Sequence, residues 1–424
     1  MIYRRLIWAS LALVAFGCDG NSQKDGADMS SGGGGGDMTL PAQCNGTTAT
    51  ASTPGMTPMT TAGLTLPSGF VIETIAAVGS ARELTALPNG DLLVGTLGND
   101  VYLVPDAEAD GAAGAPVKFA SIDDAPVQGV AFDPPSCTVY IAAQHGVFSV
   151  AYHDGETTAT PAQIGSVRSG DVAPNSDGDI HTTSSVAVAA GKLYVGVGSS
   201  CNSCAEVDPT RATIQELGLD GSGMATRGTR MRNAIGLIAN PDTGTLWAGG
   251  AGQDNLPLGH PYEYFDAVTL HTGVADYGWP VCEENQNAYG SGADCSAIAV
   301  PRIELPAYST IIGAVFYPTS QTGKHAFPAA NRGLYLSGHG SWHMTNNVYY
   351  TAPRVAFVAM NGDTPVAAVD WSDPSKQWSE FIGGFQLADN ITRIARPTGI
   401  ALGVQGSLFL ADDQNGLVYR VRPQ

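Results

Sequence analysis

Basic side chains are scarce in this chain: 20 Lys and Arg stand against 39 Asp and Glu, for a formal net charge of −19. Such an acidic balance disfavours nucleic acid and anionic membrane surfaces as partners, because both attract basic patches. Charge is scarce altogether, at 14% of residues against 43% hydrophobic, which leaves little charged helix surface and enough apolar side chain for a large core. Helical periodicity is missing as well, since no segment as long as the strand-like ones shows a 3.6-residue apolar spacing. The apolar run at the start, from Leu6 to Phe16, is too short to cross a membrane.

That run follows Arg4 and Arg5 and leads into small residues around Cys18, the layout of an export signal. Cys18 stands where a lipoprotein signal places its acylated cysteine, although Ala15 occupies a position where Leu is usual. The expectation is a signal over residues 1–17 and an exported lipoprotein facing the periplasm or cell exterior, held to the membrane only through a lipid on Cys18. A plain secretory signal or an inserted segment are the alternatives. Loss of Arg4 and Arg5 would take the charge from −19 to −21. Residues 18–40 carry five consecutive glycines and no apolar period, so they read as a flexible tether. The globular domain then spans residues 41–424.

Besides Cys18, six cysteines remain, an even number that suggests disulfides in an exported chain. Cys282 and Cys295 bracket a polar loop, Cys201 and Cys204 form a CNSC run, and Cys44 with Cys137 follows by elimination. CNSC lacks the histidine of a c-type haem site, and a zinc site would need a second pair.

What the chain has in abundance is turns, with 53 Gly and 26 Pro, and a repeat. An apolar alternation, a Gly or Asp/Pro turn and a second apolar strand recur six times: LTALPNGDLLVGT, GVAFDPPSCTVYIA, VAVAAGKLYVGVG, LIANPDTGTLWAGG, AVFYP with NRGLYLSG, and GIALGVQGSLFLAD. The strand positions Leu93, Tyr140, Tyr194, Trp247, Tyr335 and Phe409 lie 47, 54, 53, 88 and 74 residues apart, room for a four-stranded blade each time. Period-2 alternation between turn residues marks each copy as a β-hairpin. Six such copies predict an all-β fold, a six-bladed β-propeller of four-stranded blades. The early strand GFVIETIAAV and the last, GLVYRVRP, are expected to pair and close the ring, sparing a sheet edge. The long intervals, with the Cys282–Cys295 loop and the segment from Ser341 to Ile394, are expected to build up one face.

Polar residues recur just before the apolar strands: Arg82 at the first copy, Gln128 at the second, His181 at the third, Arg232 with Asn233 at the fourth and Arg396 at the sixth. A repeat needs no polar group there to fold. Three arginines so placed in a chain poor in them suggest a pocket for an anion with several carboxylates, although each arginine could instead pair with a surface acid. A neutral imidazole at His181 could take a proton from a hydroxyl, against the plain alternative of a hydrogen-bonded structural histidine.

These residues resemble the quinoprotein sugar dehydrogenases, and within them the soluble aldose, sorbosone or pyranose type. The likeness runs from about Leu66 to Pro423 through ARELTALPNGDLLVGT, His181 with KLYVGVGSSCN, AEVDPTRATI, Arg232-Asn233, GQDNL, YGWP, GHGSW and RPTGIALG. It implies a six-bladed propeller that binds pyrroloquinoline quinone (PQQ) and Ca2+ and oxidises a sugar or related polyol, passing electrons to an external acceptor. By the same likeness His181 would be the general base taking the substrate hydroxyl proton, and Arg232 would stabilise the developing oxyanion with Asn233 beside it. Gln128 would contact the cofactor, Arg396 would clamp a carboxylate, and Arg82 would be a further cofactor contact. Carbonyls near Gly252 and Gln253 would hold calcium, which prefers hard oxygen ligands.

The chain departs from the pattern in three places. Ser199 stands where the glucose type has an aspartate that orients the histidine, Gln253 replaces a frequent arginine, and Met344 falls where relatives often carry one. The alternatives to an enzyme of this type are a propeller lipoprotein that binds a ligand or partner without turnover, and a calcium-dependent hydrolase of the lactonase kind.

Overall fold

A computed structural model describes residues 44–46, 53–61, 63–173 and 179–424, all within one compact unit, Asp37–Gln424. The expected signal, the tether and Cys18 lie outside the described residues. No helix among those described is long and apolar enough to cross a membrane; the helical segments there are three 3-10 turns, at Val268–Leu270, Ala329–Asn331 and Pro374–Lys376.

Six sheets form the blades, antiparallel except where Ala275–Asp276 joins the edge of the third in parallel. Their innermost strands are Ala81–Ala86, Gly129–Asp133, Ser184–Ala189, Ala234–Ala239, Ile311–Phe316 and Pro397–Leu402, and each packs beside the next around a central channel. The second strands are Leu92–Thr96, Thr138–Ala142, Lys192–Val197, Leu246–Gly250, Leu334–Gly338 and Leu408–Asp412. All six strand positions singled out in the repeat fall on these second strands. The third hairpin shows how the local sequence dictates the turn. Ala190 and Gly191 both take positive φ, 48° and 72°, between the paired Ala189 and Lys192, the left-handed geometry whose twist suits a two-residue hairpin.

Ring closure is as expected: Phe70–Ala77 pairs antiparallel with Leu417–Pro423, from Phe70 opposite Pro423 to Ala77 opposite Leu417. The sixth blade is thus stitched from both ends of the domain, so the outermost C-terminal strand has a partner instead of a free edge. The segment from Ser341 to Ile394 does more than build a face. It supplies strands Arg354–Val358 and Ser379–Ile382 of the fifth blade, which the sequence did not reveal because several of their positions are only partly buried or exposed and so give no clear apolar signal.

The core lies between blades, one apolar cluster at each junction. Phe409 meets Leu92 between blades six and one, Leu93 meets Val139 between one and two, and Tyr140 meets Leu193 between two and three. Tyr194 meets Leu246, Trp247 meets Phe316, and Tyr335 meets Leu408, completing the circle. Trp247 is fully buried, stacked on Phe265 and edge-on to Phe316; truncation of such an aromatic costs about 3–5 kcal/mol. Blades approach closely enough at Gly399 that an added Cβ would strike the Arg82 carbonyl of the first blade, so that position takes glycine for space alone.

All three disulfides are those expected: Cys44–Cys137, Cys201–Cys204 and Cys282–Cys295. The first closes a 93-residue separation, the kind of long loop for which chain entropy favours the folded state by about 4–5 kcal/mol.

Candidate active site at one mouth of the channel

Register explains why the recurrent polar residues meet. The first residue of every inner strand pairs with the last residue of the second strand: Ala81 with Thr96, Gly129 with Ala142, Ser184 with Val197, Ala234 with Gly250, Ile311 with Gly338 and Pro397 with Asp412. Residues just before one and just after the other therefore share a mouth of the channel. Arg82, Gln128, His181, Arg232, Asn233 and Arg396 all stand at this mouth; Arg82 is the second residue of its strand rather than a residue before it.

His181 is held from three sides. Arg168, a buried side chain, donates to the carbonyls of His181, Thr182 and Thr183 at 2.7, 3.0 and 3.0 Å. Arg211 forks onto Asp179, whose Oδ1 accepts the His181 backbone N–H at 3.3 Å. The ring itself places Nδ1 at 2.8 Å from the Ser199 carbonyl and 3.0 Å from its Oγ. A carbonyl can only accept, so Nδ1 carries the proton and Nε2 keeps its lone pair. Nε2 makes no hydrogen bond to the described residues. Burial of the ring, followed by the Arg232 guanidinium, holds its pKa well below the ordinary histidine range, against the hydrogen bond that the ring donates to the Ser199 carbonyl. The residue keeps intermediate exposure all the same, the mark of a group on a channel wall: enclosed by protein, open on one side.

Arg232 and Asn233 flank that ring. The Arg232 carbonyl accepts from Ser199 N at 2.8 Å, and a Cβ at Gly198 would strike both the Asn233 amide and His181 Cβ, so only glycine lets the three converge. The buried Arg232 guanidinium donates to Gly252 O at 2.7 Å, to Asn202 O and Oδ1 at 3.2 and 3.0 Å, and to Asp254 at 3.1 Å. The Asn233 side chain makes no hydrogen bond to the described residues.

Across the mouth, Arg82 donates to Gln128 Oε1 at 3.1 Å and to Asp413 at 2.8 Å. Gln128 in turn donates to Glu83 and Ser185 at 3.2 Å each, and Ser185 donates a short bond to Glu83. Burial pushes the Glu83 carboxyl up to about 8. Asp413 also receives His339 Nε2 at 2.9 Å; these bonds outweigh burial and bring it down to about 2. Arg396 donates to the carbonyls of His339 and Gly340 at 3.2 and 3.3 Å and forms no ion pair among the described residues. The expectation of three arginines open to an anion is thus met unevenly, because Arg82 and Arg232 each have a protein carboxylate while Arg396 has none.

Gly252 and Gln253 follow a second strand at the same mouth. The Gly252 carbonyl already accepts from Arg232, and its N–H donates to Glu263 at 2.9 Å; Gln253 is buried and donates to Pro280 O at 3.1 Å. Burial pushes both Glu263 and Glu283 up to about 8, and Glu283 Oε2 has no partner. Hard oxygen donors are therefore present, as a calcium ion requires. Among the described residues the one trio of His, Cys, Asp or Glu ligand atoms within 4.8 Å of one another is Cys201, Cys204 and Glu206, and its sulfurs are joined in a disulfide.

Sequence reasoning missed Glu83, Ser185, Asn202, His339 and Asp413. His339 and Asp413 follow second strands, in LSGHG and LADD, as Ser199 and Gly252 do. The signal was the strand end opposite each recurrent polar residue.

The fold and the mouth define a six-bladed propeller with a polar pocket built by most of its blades. The TrAA12-like family model matches residues 266–424. The chain is similar in fold to the holo PQQ domain of pyranose dehydrogenase from Coprinopsis cinerea, at 18% identity, 85% of this chain, 97% of that one and TM-score 0.66. It is similar to a Trichoderma reesei structure of Carbohydrate-Active Enzymes Family AA12, at 18% identity, 89% and 100% coverage and TM-score 0.64. A third likeness is to the soluble aldose sugar dehydrogenase of Escherichia coli in its apo form, at 16% identity, 84% and 100% coverage and TM-score 0.56. No curated protein matches the sequence. The resemblance drawn from the motifs is matched by a family model over the C-terminal part, and the solved structures share the fold over most of the chain.

Proposed function

We propose that this protein is an exported, quinone-dependent oxidoreductase that oxidises a sugar or related polyol and hands the electrons to an external acceptor. The observation that carries the reading is His181: Nδ1 pinned on Ser199, Nε2 open and unprotonated, with Arg232 and Asn233 beside it. Ser199 does here what an orienting carboxylate would do, by fixing the tautomer through its carbonyl.

PQQ, the cofactor of the Coprinopsis domain, would supply the hydride acceptor, with Ca2+, present in a Trichoderma reesei AA12 structure, as the polarising Lewis acid. The residues present fit this pair. Asn233 offers an uncommitted amide, Arg396 a guanidinium without a carboxylate for a cofactor acid group, and Gly252 with the orphaned Glu283 oxygen offers hard donors. Gln128 and Arg82 would form the wall behind. His181 Nε2 then receives the hydroxyl proton of the substrate as hydride leaves its carbon. Arg232, fixed by four acceptors before any ligand arrives, supplies positive charge with no reorganisation, the condition under which such charge lowers a barrier most. The lipid anchor at Cys18 belongs to the same reading.

Absorbance titration of the purified protein with PQQ, with and without Ca2+, tests it. Saturable binding strengthened by Ca2+, followed by dye reduction with some member of an aldose and polyol panel, is expected. Absence of binding overturns it. Engagement of Arg82 and Arg232 by protein carboxylates favours one other reading, a propeller that binds a ligand without turnover; binding unchanged in His181→Ala with no activity in either protein would select it.

A further inference from the structure

The four-residue ring closed by Cys201–Cys204 touches both halves of the proposed reacting pair. Asn202, inside the ring, turns two oxygens onto one guanidinium: its carbonyl accepts from Arg232 Nε at 3.2 Å and its Oδ1 from Nη2 at 3.0 Å. The same carbonyl accepts from Trp279 Nε1 at 3.0 Å. The same side chain accepts from Asp254 N at 2.7 Å and donates to Asp254 O at 3.0 Å, fastening the loop that carries the Arg232 counter-ion. One residue earlier, the Cys201 carbonyl accepts from Ser199 Oγ at 2.7 Å, and Ser199 holds His181 Nδ1. A bridge that merely stapled a loop would not need an amide whose every polar atom is spent on the arginine and its counter-ion loop.

We infer that Asn202, clamped by the Cys201–Cys204 disulfide, is the positioning residue that keeps the Arg232 guanidinium beside His181. The disulfide limits the backbone freedom of the ring, so both Asn202 oxygens stay aimed at one edge of the guanidinium. Without the clamp, Arg232 keeps only Gly252 O and Asp254 as partners and swings about them. The charges that face His181 are Arg232, Arg168 and Arg211, all of which favour the neutral ring, with Asp179 fastened to Arg211 while its Oδ1 accepts the His181 backbone N–H. Only Arg232 depends on Asn202.

The proposal rests on His181 and Arg232 acting as a pair, and its test needs no cofactor. NMR titration of the His181 ring in the full-length protein, with the signal assigned from His181→Ala, compares wild type with Asn202→Ala. The expected result is a midpoint raised by on the order of one pH unit, the scale of losing one nearby charge in a buried site. A folded Asn202→Ala with an unchanged His181 titration overturns the proposal. Should that variant fail to fold, Cys201→Ser/Cys204→Ser is read in the same way: a raised midpoint supports the clamp and an unchanged one overturns it. Failure of PQQ to bind would instead sink the functional reading and leave the positioning result intact.

Discussion

The two sides of the channel mouth use the same residue types to different ends. On the side of blades one, two, five and six, the polar groups of Arg82, Gln128, Glu83, Asp413 and His339 largely bond to one another. On the side of blades three and four, Arg232 is equally engaged, but His181 Nε2 and the Asn233 amide are left without partners among the described residues. A closed network resists change, since a member removed leaves buried groups unsatisfied. Open groups contribute nothing to the fold and are retained at a cost, which is the pattern of atoms meant for a ligand. The comparison assigns reaction to one side and scaffolding to the other.

Replacement of Arg232 is the strongest way to break it. Arg232→Ala is expected to lower turnover of the reconstituted enzyme by about a hundredfold or more, the scale of a lost oxyanion donor. The His181 midpoint should rise as well, since Arg232 is the largest charge holding it down. A depressed histidine costs stability as pH falls from its unfolded value to its folded one, so the variant, whose folded value lies closer to the unfolded one, should lose less stability through His181 at acid pH than wild type. Steady-state dye reduction across pH 5–9 checks the rate, and denaturant unfolding between pH 7 and pH 4 checks the stability; an unchanged rate removes Arg232 from the chemistry.

On the scaffolding side the expected effect is on stability rather than rate. Asp413→Ala strands the Arg82 guanidinium and the His339 N–H, both nearly buried. Breaking a fully buried pair costs about 3–5 kcal/mol, and with side chains 9% and 14% exposed about 2 kcal/mol is expected here. The sign with pH follows from the Asp413 carboxyl being brought down to about 2: its contribution is complete above the unfolded value near 3.8 and is lost as pH falls through about 2. Denaturant unfolding at pH 7 and pH 3 should show the gap between wild type and variant narrowing at the lower pH. If turnover collapses while stability holds, the two sides have been assigned the wrong way round.

The difference between the sides also explains what the sequence could show. Apolar alternation bounded by Gly, Asn, Asp and Pro recurs in every hairpin, so the six second strands and the ring closure were readable. The polar residues before inner strands stood out because folding alone did not demand them. Their partners did not, because Glu83 and Ser185 lie inside inner strands, where alternation predicts nothing about which side chain faces the channel. Asn202 reads only as part of the CNSC run, where spacing speaks of the cysteines and not of the residue between them. Arg354–Val358 and Ser379–Ile382 were hidden in a long interval because outer strands are half exposed and their alternation is weak. Disulfide pairing rests on an even count, one bracketed polar loop, the CNSC run and elimination, because six cysteines allow fifteen pairings and sequence alone does not choose among them.

A third place, away from the mouth, sharpens the contrast with the smallest effect. Glu304 sits in the outer strand Ile303–Leu305 opposite Tyr264, fully buried, with neither carboxylate oxygen bonded. Burial, and then the nearby Glu284, pushes it up to about 8. A carboxyl whose folded pKa is raised contributes stability that is complete below its unfolded value and lost as pH rises through the folded one. Wild type should therefore melt at a lower temperature at pH 8.5 than at pH 5, in part through Glu304. Glu304→Gln keeps the shape and removes the titration, so it should match wild type at pH 5 and exceed it at pH 8.5 by a few degrees, at about 2 °C for each kcal/mol in a domain of this size. Turnover should be the same in both proteins, because the residue stands outside the channel. Parallel melting curves across that range would mean that the carboxyl finds a partner on ionisation, and an activity change would tie the outer strand to the site that blades three and four build.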